Sequence, residues 1–215
     1  MSISNILFDL DGTLTDPMEG ITKSVQYALS CFGITIQDHT TLSYFIGPPL
    51  GETFIKHFGF DEPSARIAVA KYREYFAPTG IFQNELYGGV EELLAKLQES
   101  GKRLFIATGK PTVFAKKVAE HFDIQKYFTD IYGIELSDLN LSKSETIEKL
   151  MRDYDIRCSD AAMVGDRIFD VDAAKANRLL AIGVRYGYAT PEELEGRADF
   201  LVDTVRELQE LLINL

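Results

Sequence analysis

The stretch "ILFDLDGTLTD", from Ile6 to Asp16, joins an apolar segment to a run of acidic and turn-forming residues. The apolar residues lead directly into two aspartates one residue apart, Asp9 and Asp11, which a glycine and a threonine follow. Carboxylates at the end of a buried strand cost free energy unless a positive charge or a metal ion compensates them. The stretch therefore predicts a buried first strand over residues 5–8 whose end carries a charged site.

Strands and helices alternate over the C-terminal two thirds of the chain. Apolar runs such as "LFIA" at 104–107 are typical of strands that are buried on both faces. Strands are expected at 103–108, 128–134, 161–165, 179–184 and 199–202, and helices at 90–99, 111–121, 144–154, 171–177 and from 204. This alternation predicts an α/β fold with a Rossmann-like parallel sheet and helices on both of its faces.

The segment between residues 16 and 84 has helical periodicity and no convincing strand pattern. One apolar face recurs at helical spacing through Ile21, Val25, Leu29 and Phe32. Pro and Gly residues lie at both ends of the segment, as expected of crossings between domains. We therefore expect an α/β core of residues 1–15 and 85–215 with an inserted all-helical domain of residues 16–84.

Composition and charge exclude several classes of protein. The net charge of −11 argues against a nucleic-acid or anionic-membrane partner, because both require a basic face. No apolar run approaches the roughly 18 residues of a membrane span. Cys31 and Cys158 have no metal-binding spacing and fit reduced thiols in a core. Because the first strand begins near the N-terminus and leaves no room for a signal peptide, we expect a cytoplasmic protein.

Several predicted strands end in residues that are suited to binding an anion and a metal ion. Ligands of open α/β sheets bind beyond the carboxyl ends of the strands. Clustered carboxylates repel one another, so a hard divalent cation such as Mg²⁺, which takes oxygen ligands, is their expected partner. A lysine and a hydroxyl group beside such an ion are typical of phosphoryl binding. The residues at these positions are Asp9, Asp11, Thr108, Lys143, Asp166 and Asp170.

The motifs resemble those of the haloacid dehalogenase superfamily. "DLDGTLTD" resembles the first family motif, "ATGKP" the second, Lys143 in "SKSE" the third and "GDRIFD" the fourth, in the same order along the chain. The helical insert resembles the small helical cap that follows the first motif in this family. The resemblance covers essentially the whole chain and implies a phosphatase of the phosphoglycolate phosphatase-like or 5'-nucleotidase-like subgroup.

The resemblance also implies roles for the acidic residues. Asp9 would be the nucleophile that forms an aspartyl-phosphate, and Asp11 would be the general acid and then the general base. Asp9, the backbone carbonyl of Asp11 and Asp166 would hold Mg²⁺. Asp170 would act on the ion through a water molecule, or would orient Lys143.

Phosphate would be bound by Thr108, Lys143 and the amide of Gly109, a position where relatives often carry Ser or Asn. Lys110 is a further candidate for substrate contact. The substrate would be a small phosphorylated metabolite such as phosphoglycolate or a nucleoside monophosphate, and the protein a monomer or homodimer. Because the cap segment at 47–53 contains no lysine or arginine, it does not favour a dianionic substrate such as phosphoglycolate. Possible cap contacts are Gly47, Pro48 and Pro49.

Two other functions share parts of this pattern. A phosphosugar mutase has all four motifs and transfers the phosphoryl group to a second hydroxyl instead of water. A phospho-receiver signalling module combines an acidic cluster, a threonine and a lysine, but has no reason to carry a large insert after the first strand. For single residues, the alternatives are helix capping for Thr108 and simple solvent exposure for Lys143 and Lys110.

Overall fold

The computed structural model describes residues 3–135 and 142–215. The strands in this part of the chain are β1 (Asn5–Phe8), β2 (Thr15–Asp16), β3 (Glu85–Leu86), β4 (Arg103–Pro111), β5 (Asp130–Ile134), β6 (Ala161–Gly165), β7 (Leu180–Val184) and β8 (Phe200–Val202). The α-helices are α1 (Met18–Ser30), α2 (Leu50–Phe58), α3 (Glu62–Phe76), α4 (Val90–Glu99), α5 (Thr112–His121), α6 (Lys143–Asp153), α7 (Ile168–Ala176), α8 (Pro191–Leu194) and α9 (Val205–Asn214).

Six of the strands form one sheet in the order β5-β4-β1-β6-β7-β8. Every neighbouring pair in this sheet is parallel. The first strand is central, with Phe8 opposite Ile106 of β4 on one side and Val164 of β6 on the other. The predicted parallel α/β sheet is confirmed. Because parallel strands end at the same edge, the segments that follow β1, β4 and β6 begin side by side.

The central strand is held by apolar contacts. Leu7 is in register with Phe105 on β4 and Met163 on β6. Ile147 of α6 and Val171 of α7 belong to the same buried cluster as these three residues. Since burying one large apolar side chain contributes about 1.5–3 kcal/mol, this cluster holds the end of β1 and the start of α7 in a defined position.

The chain divides into two compact units, one made of Met1–Asp16 with Leu86–Leu215 and the other of Pro17–Glu85. The second unit contains α1, α2, α3 and a 3₁₀ helix at His39–Phe45. In this unit α1 buries Ile21, Val25 and Leu29, which are three residues of the predicted apolar face. Its role as a cap stays a prediction.

The structure differs from the sequence-based expectations in a few elements. α7 was expected from residue 171 and begins at Ile168, because the Asp170 side chain accepts a 2.8 Å hydrogen bond from the Arg167 N–H and caps the helix earlier. α8 was not expected, since four residues are too few to show a periodic pattern. Cys31 is exposed and Cys158 half-buried, so the expectation that both thiols are core residues is wrong. Among the described residues, no helix has the length and apolar character needed to cross a bilayer.

Candidate active site

The candidate site lies at the carboxyl edge of the six-stranded sheet. Asp9 directly follows β1, and Asp166 directly follows the neighbouring strand β6. The Asp9 N–H continues the sheet by donating to the Val164 carbonyl at 2.8 Å. The regular pairing of β1 with β6 therefore brings two aspartates together that are far apart in the sequence.

Three aspartates form a carboxylate cluster that consists of Asp9, Asp166 and Asp170. Each contributes a carboxylate oxygen, and these oxygens lie within 4.8 Å of one another. The side chains are buried, with 6%, 0% and 2% of Asp9, Asp166 and Asp170 exposed, respectively. Lys143, the first residue of α6, lies with Nζ 2.9 Å from Asp9 Oδ1 and also bonds Asp170. Solvent exposure, the alternative role for Lys143, is therefore wrong.

The charge of the cluster is not balanced by its lysine. Burial, together with the charges of Asp170 and Asp9, raises the pKa of Asp166 well above its ordinary value. Burial and the Asp9 charge raise the pKa of Asp170 to about 6, although Lys143 opposes this shift. Burial lowers the pKa of Lys143, but Asp170 and Asp9 outweigh it, and the net effect is a raised pKa. Lys143 therefore stays charged, while Asp166 and Asp170 keep their protons to a higher pH than ordinary carboxyl groups do.

The oxygens of the cluster suit a hard divalent cation. When all three carboxylates are ionised, they and the one ammonium group leave two negative charges, which one divalent ion would neutralise. Asp9 Oδ1 is buried and has no hydrogen-bond partner of suitable angle among the described residues, although the charge of Lys143 lies 2.9 Å away. Carboxylate oxygens are the ligands that Mg²⁺ prefers. The residues therefore fit the expected metal ion.

The backbone at Gly12 and the backbone at Gly187 both pack closely against the Asp166 side chain. Gly12 has φ +85°, and a Cβ at Gly12 would overlap the Asp166 carboxylate. A Cβ at Gly187 would also overlap Asp166. Tyr188 N–H donates to Asp166 Oδ2 at 2.8 Å, and Thr13 Oγ1 donates to Oδ1 at 3.4 Å. Asp166 is therefore positioned both by the loop after β1 and by the segment after β7.

Asp11 has a partner that the sequence did not reveal. Lys110 Nζ donates to Asp11 Oδ1 at 2.6 Å and bonds Oδ2 as well. Both side chains are largely buried, with 5% of Lys110 and 14% of Asp11 exposed. Burial raises the pKa of Asp11, and the attraction of Lys110 opposes that rise. Simple solvent exposure, the alternative for Lys110, is wrong.

The second motif lies in an irregular part of β4. The pairing of β4 with β5 shifts register between Ala107 and Pro111. Thr108 is buried there, and its hydroxyl oxygen accepts a 3.3 Å hydrogen bond from the Lys110 N–H. No side chain caps α5, so helix capping by Thr108 is wrong. Gly109 is exposed, and no heavy atom of the described residues other than Gly109 and its two chain neighbours lies within 4 Å of where its Cβ would be.

The remaining predicted residues belong to the second unit. Gly47 and Pro49 are exposed and Pro48 is half-buried. Gly47 has φ +103°, a conformation that favours glycine, and Pro49 precedes α2. Their predicted contact with substrate stays a prediction.

The residues around Asp166 that come from the segment after β7 were not predicted from the sequence. Tyr186 donates from its hydroxyl to the Thr13 carbonyl at 3.0 Å, and the Tyr188 hydroxyl bonds Asp16. The sequence signal for them is "YGY" at 186–188, two aromatic residues around a glycine that begin two residues after the end of a buried strand. Glu193 pairs with Arg167, and no pattern in the sequence around Glu193 indicates this pairing.

Comparison with known proteins gives the same family along most of the chain. The family model described as "Haloacid dehalogenase-like hydrolase" matches residues 6–184. A 5'-nucleotidase of Pseudomonas aeruginosa is 46% identical over 190 residues, which are 88% of this chain and 86% of that protein. The tyrosine-protein kinase PtkA of Mycobacterium tuberculosis is 35% identical over 199 residues, which are 93% of this chain but only 65% of that protein.

A solved structure agrees with the fold over the full chain. The crystal structure of a predicted phosphatase from Clostridium acetobutylicum is 44% identical, with a TM-score of 0.96 and coverage of 100% of both chains. Phosphoglycolate phosphatases of Vibrio and Photobacterium species are more distant relatives, at 26–27% identity. Both predicted subgroups thus occur among the relatives. The chain therefore belongs to the haloacid dehalogenase-like hydrolases, as its four motifs predicted.

Proposed function

We propose that the protein is a Mg²⁺-dependent phosphatase that hydrolyses small phosphomonoesters through an aspartyl-phosphate on Asp9. The observation that carries this proposal is the charge of the carboxylate cluster, in which one lysine faces three buried aspartates. Such a cluster favours a divalent cation, and a cation beside a lysine favours a phosphate group. The phosphatases among the relatives support the same reaction.

In the first step an Asp9 carboxylate oxygen attacks phosphorus. A bond forms between this oxygen and phosphorus while the bond from phosphorus to the leaving oxygen breaks. The electron pair stays on the leaving oxygen, which takes a proton from the Asp11 carboxyl. Burial raises the pKa of Asp11 and so favours the protonated form that this step needs.

In the second step water hydrolyses the aspartyl-phosphate. Asp11, now a carboxylate, accepts a proton from the water as the water oxygen attacks phosphorus. The bond between Asp9 and phosphorus breaks, which releases inorganic phosphate and restores both aspartates. Thr108, Lys143 and the Gly109 amide would hold the phosphoryl oxygens during both steps.

The metal ligands in this proposal are Asp9, the Asp11 backbone carbonyl and Asp166, with Asp170 orienting Lys143. When bound, a divalent cation supplies positive charge that offsets the negative charge of the phosphoryl oxygens. Lys110 holds Asp11 in the observed structure, and a substrate phosphate is an alternative partner for its ammonium group.

For the substrate we propose a small phosphorylated metabolite, with nucleoside monophosphates and phosphoglycolate as the first candidates. The 5'-nucleotidase relative favours the nucleotide. The helical unit would act as the cap, and Gly47, Pro48 and Pro49 as its substrate contacts. The reduced cysteines favour a cytoplasmic location, and a monomer or homodimer is expected.

A substrate panel with matched variants tests the reaction. Purified protein with Mg²⁺ is incubated with nucleoside monophosphates, phosphoglycolate and sugar phosphates, and inorganic phosphate is measured. Asp9→Asn should reduce turnover by about 10³-fold or more, because an amide cannot attack phosphorus. Asp11→Asn should lose turnover but keep substrate binding. Asp172→Asn removes the same charge from an exposed position on α7 and should leave turnover unchanged.

Several outcomes would contradict the proposal. Wild-type turnover in the Asp9→Asn variant would exclude the covalent route. Release of no phosphate from any panel member would exclude hydrolysis. If an isomerised sugar phosphate or a phosphorylated tyrosine forms instead of free phosphate, the protein is a phosphotransferase that uses the same nucleophile.

A further inference from the structure

A half-buried ion pair joins Arg167, the residue that directly follows Asp166, to Glu193. Arg167 Nε donates to Glu193 Oε2 at 2.8 Å, and Arg167 Nη2 donates to Oε1 at 2.9 Å. This is a two-point, planar contact of the kind that fixes orientation as well as distance. Only 12% of the Arg167 side chain and 23% of the Glu193 side chain are exposed. By contrast, the Arg185–Glu195 pair nearby has 40% and 60% of its side chains exposed and one long contact of 3.7 Å.

The pair connects two segments that both touch the cluster. Arg167 stands next to Asp166 in the sequence, and its backbone N–H donates to Asp170 Oδ2 at 2.8 Å. Glu193 belongs to α8, which closes the segment that begins at Gly187. That segment reaches the cluster at its other end, where Tyr188 N–H donates to Asp166. The ion pair therefore ties the loop after β6 to the segment after β7.

Glu193 also offsets a positive charge beside the cluster. Arg167 directly follows Asp166 in the sequence, and the Glu193 carboxylate pairs with the Arg167 guanidinium. An unpaired guanidinium at this place would compete with a metal ion for the same oxygens.

We propose that the Arg167–Glu193 pair is a positioning element of the metal site, which holds the segment 187–193 against Asp166 so that this carboxylate faces a divalent cation. The inference rests on the proposed function, because it assumes a metal ion at the cluster. Partners of metal ligands orient those ligands, and their loss commonly weakens metal affinity by about 10–100-fold. Neither residue touches the substrate or the reacting atoms in this proposal.

Direct measurement of metal binding tests the inference without reference to turnover. Mn²⁺ takes oxygen ligands as Mg²⁺ does, and its free aqueous form is quantified by electron paramagnetic resonance. Wild type, Glu193→Gln, Arg167→Gln and the double variant are titrated with Mn²⁺, and the thermal midpoint of each is recorded in EDTA. We expect the Kd for Mn²⁺ to rise by about 10-fold in each single variant. Since the two residues act as one unit, the double variant should lose little more than either single variant.

Glu192→Gln is the matched control, because it removes the same charge from the neighbouring, exposed position of α8. Its Kd should equal that of wild type. If the single variants do not fold, the double variant decides, because it removes both charges of the pair and leaves neither without its partner. The inference would be overturned if Glu193→Gln and the double variant had a lower thermal midpoint but an unchanged Kd for Mn²⁺. The ion pair would then contribute to stability alone. If wild type itself binds no Mn²⁺, the metal site of the proposed function fails, and the inference fails with it.

Discussion

Replacing Asp170 with asparagine should make the metal-free protein less sensitive to rising pH. Burial and the Asp9 charge raise the pKa of Asp170 from 3.8 to about 6 in the folded protein. The folded state therefore holds this proton more tightly than the unfolded state does. Its contribution to stability is complete below pH 3.8 and is lost as the pH rises through 6. At about 1.4 kcal/mol for each pKa unit, the ionised Asp170 costs the folded protein about 2 kcal/mol more at pH 7.5 than at pH 4.5.

The assay is urea unfolding in EDTA, followed by far-ultraviolet circular dichroism at pH 4.5, 6.0 and 7.5. The free energy of unfolding of Asp170→Asn minus that of wild type should increase by about 2 kcal/mol over this range. Asparagine keeps an oxygen that can accept the Arg167 N–H bond, and Lys143 keeps Asp9 as a partner. Asp172→Asn, an exposed position on the same helix, is the control for loss of one charge. A difference between Asp170→Asn and wild type that is constant, or that falls as the pH rises, would refute the reasoning.

Two further predictions concern the metal ion and the turn after β1. Mg²⁺ at about 100 times its Kd should stabilise the protein by about 2.7 kcal/mol at pH 7.5. The stabilisation should be smaller at pH 5, because protons compete with the ion for the carboxylates. An equal increase in the thermal midpoint at both pH values would contradict this prediction. Gly12→Ala should abolish Mn²⁺ binding and turnover, because its Cβ would overlap the Asp166 carboxylate. The control Gly101→Ala has a similar φ of +80°, but no heavy atom of the described residues beyond its chain neighbours lies within 4 Å of the added Cβ, so it should cost only about 1–2 kcal/mol of stability. Equal effects of the two alanines on Mn²⁺ binding would mean that the overlap is unimportant.

Much of the fold could be predicted because its elements have strong local patterns. β1, α4 and β6 have the predicted bounds, since each is a continuous apolar or amphipathic run with clear breaks. The start of α7 could not be predicted from the pattern, because a side-chain hydrogen bond from Arg167 N–H to Asp170 sets it. α8 is too short to produce a periodic signal.

The candidate site was predictable in part for a similar reason. Asp9 and Asp166 follow apolar strands directly, so their position at the sheet edge follows from the strand assignments. The partner of Lys110 was not predictable, because Asp11 lies 99 residues away in the sequence. Glu193 was not predicted either, because nothing in its local sequence distinguishes it from the exposed Glu192.

The amino-acid sequence alone determined the α/β class and the family of this protein. Burial patterns and strand-end residues are local features, so they can be recognised from the order of residues along the chain. Only the tertiary structure decided which charges meet, namely Lys143 with Asp170, Lys110 with Asp11 and Arg167 with Glu193. Electrostatic energy depends on distance through space and on the exclusion of water, and neither quantity is encoded in the spacing of residues along the chain.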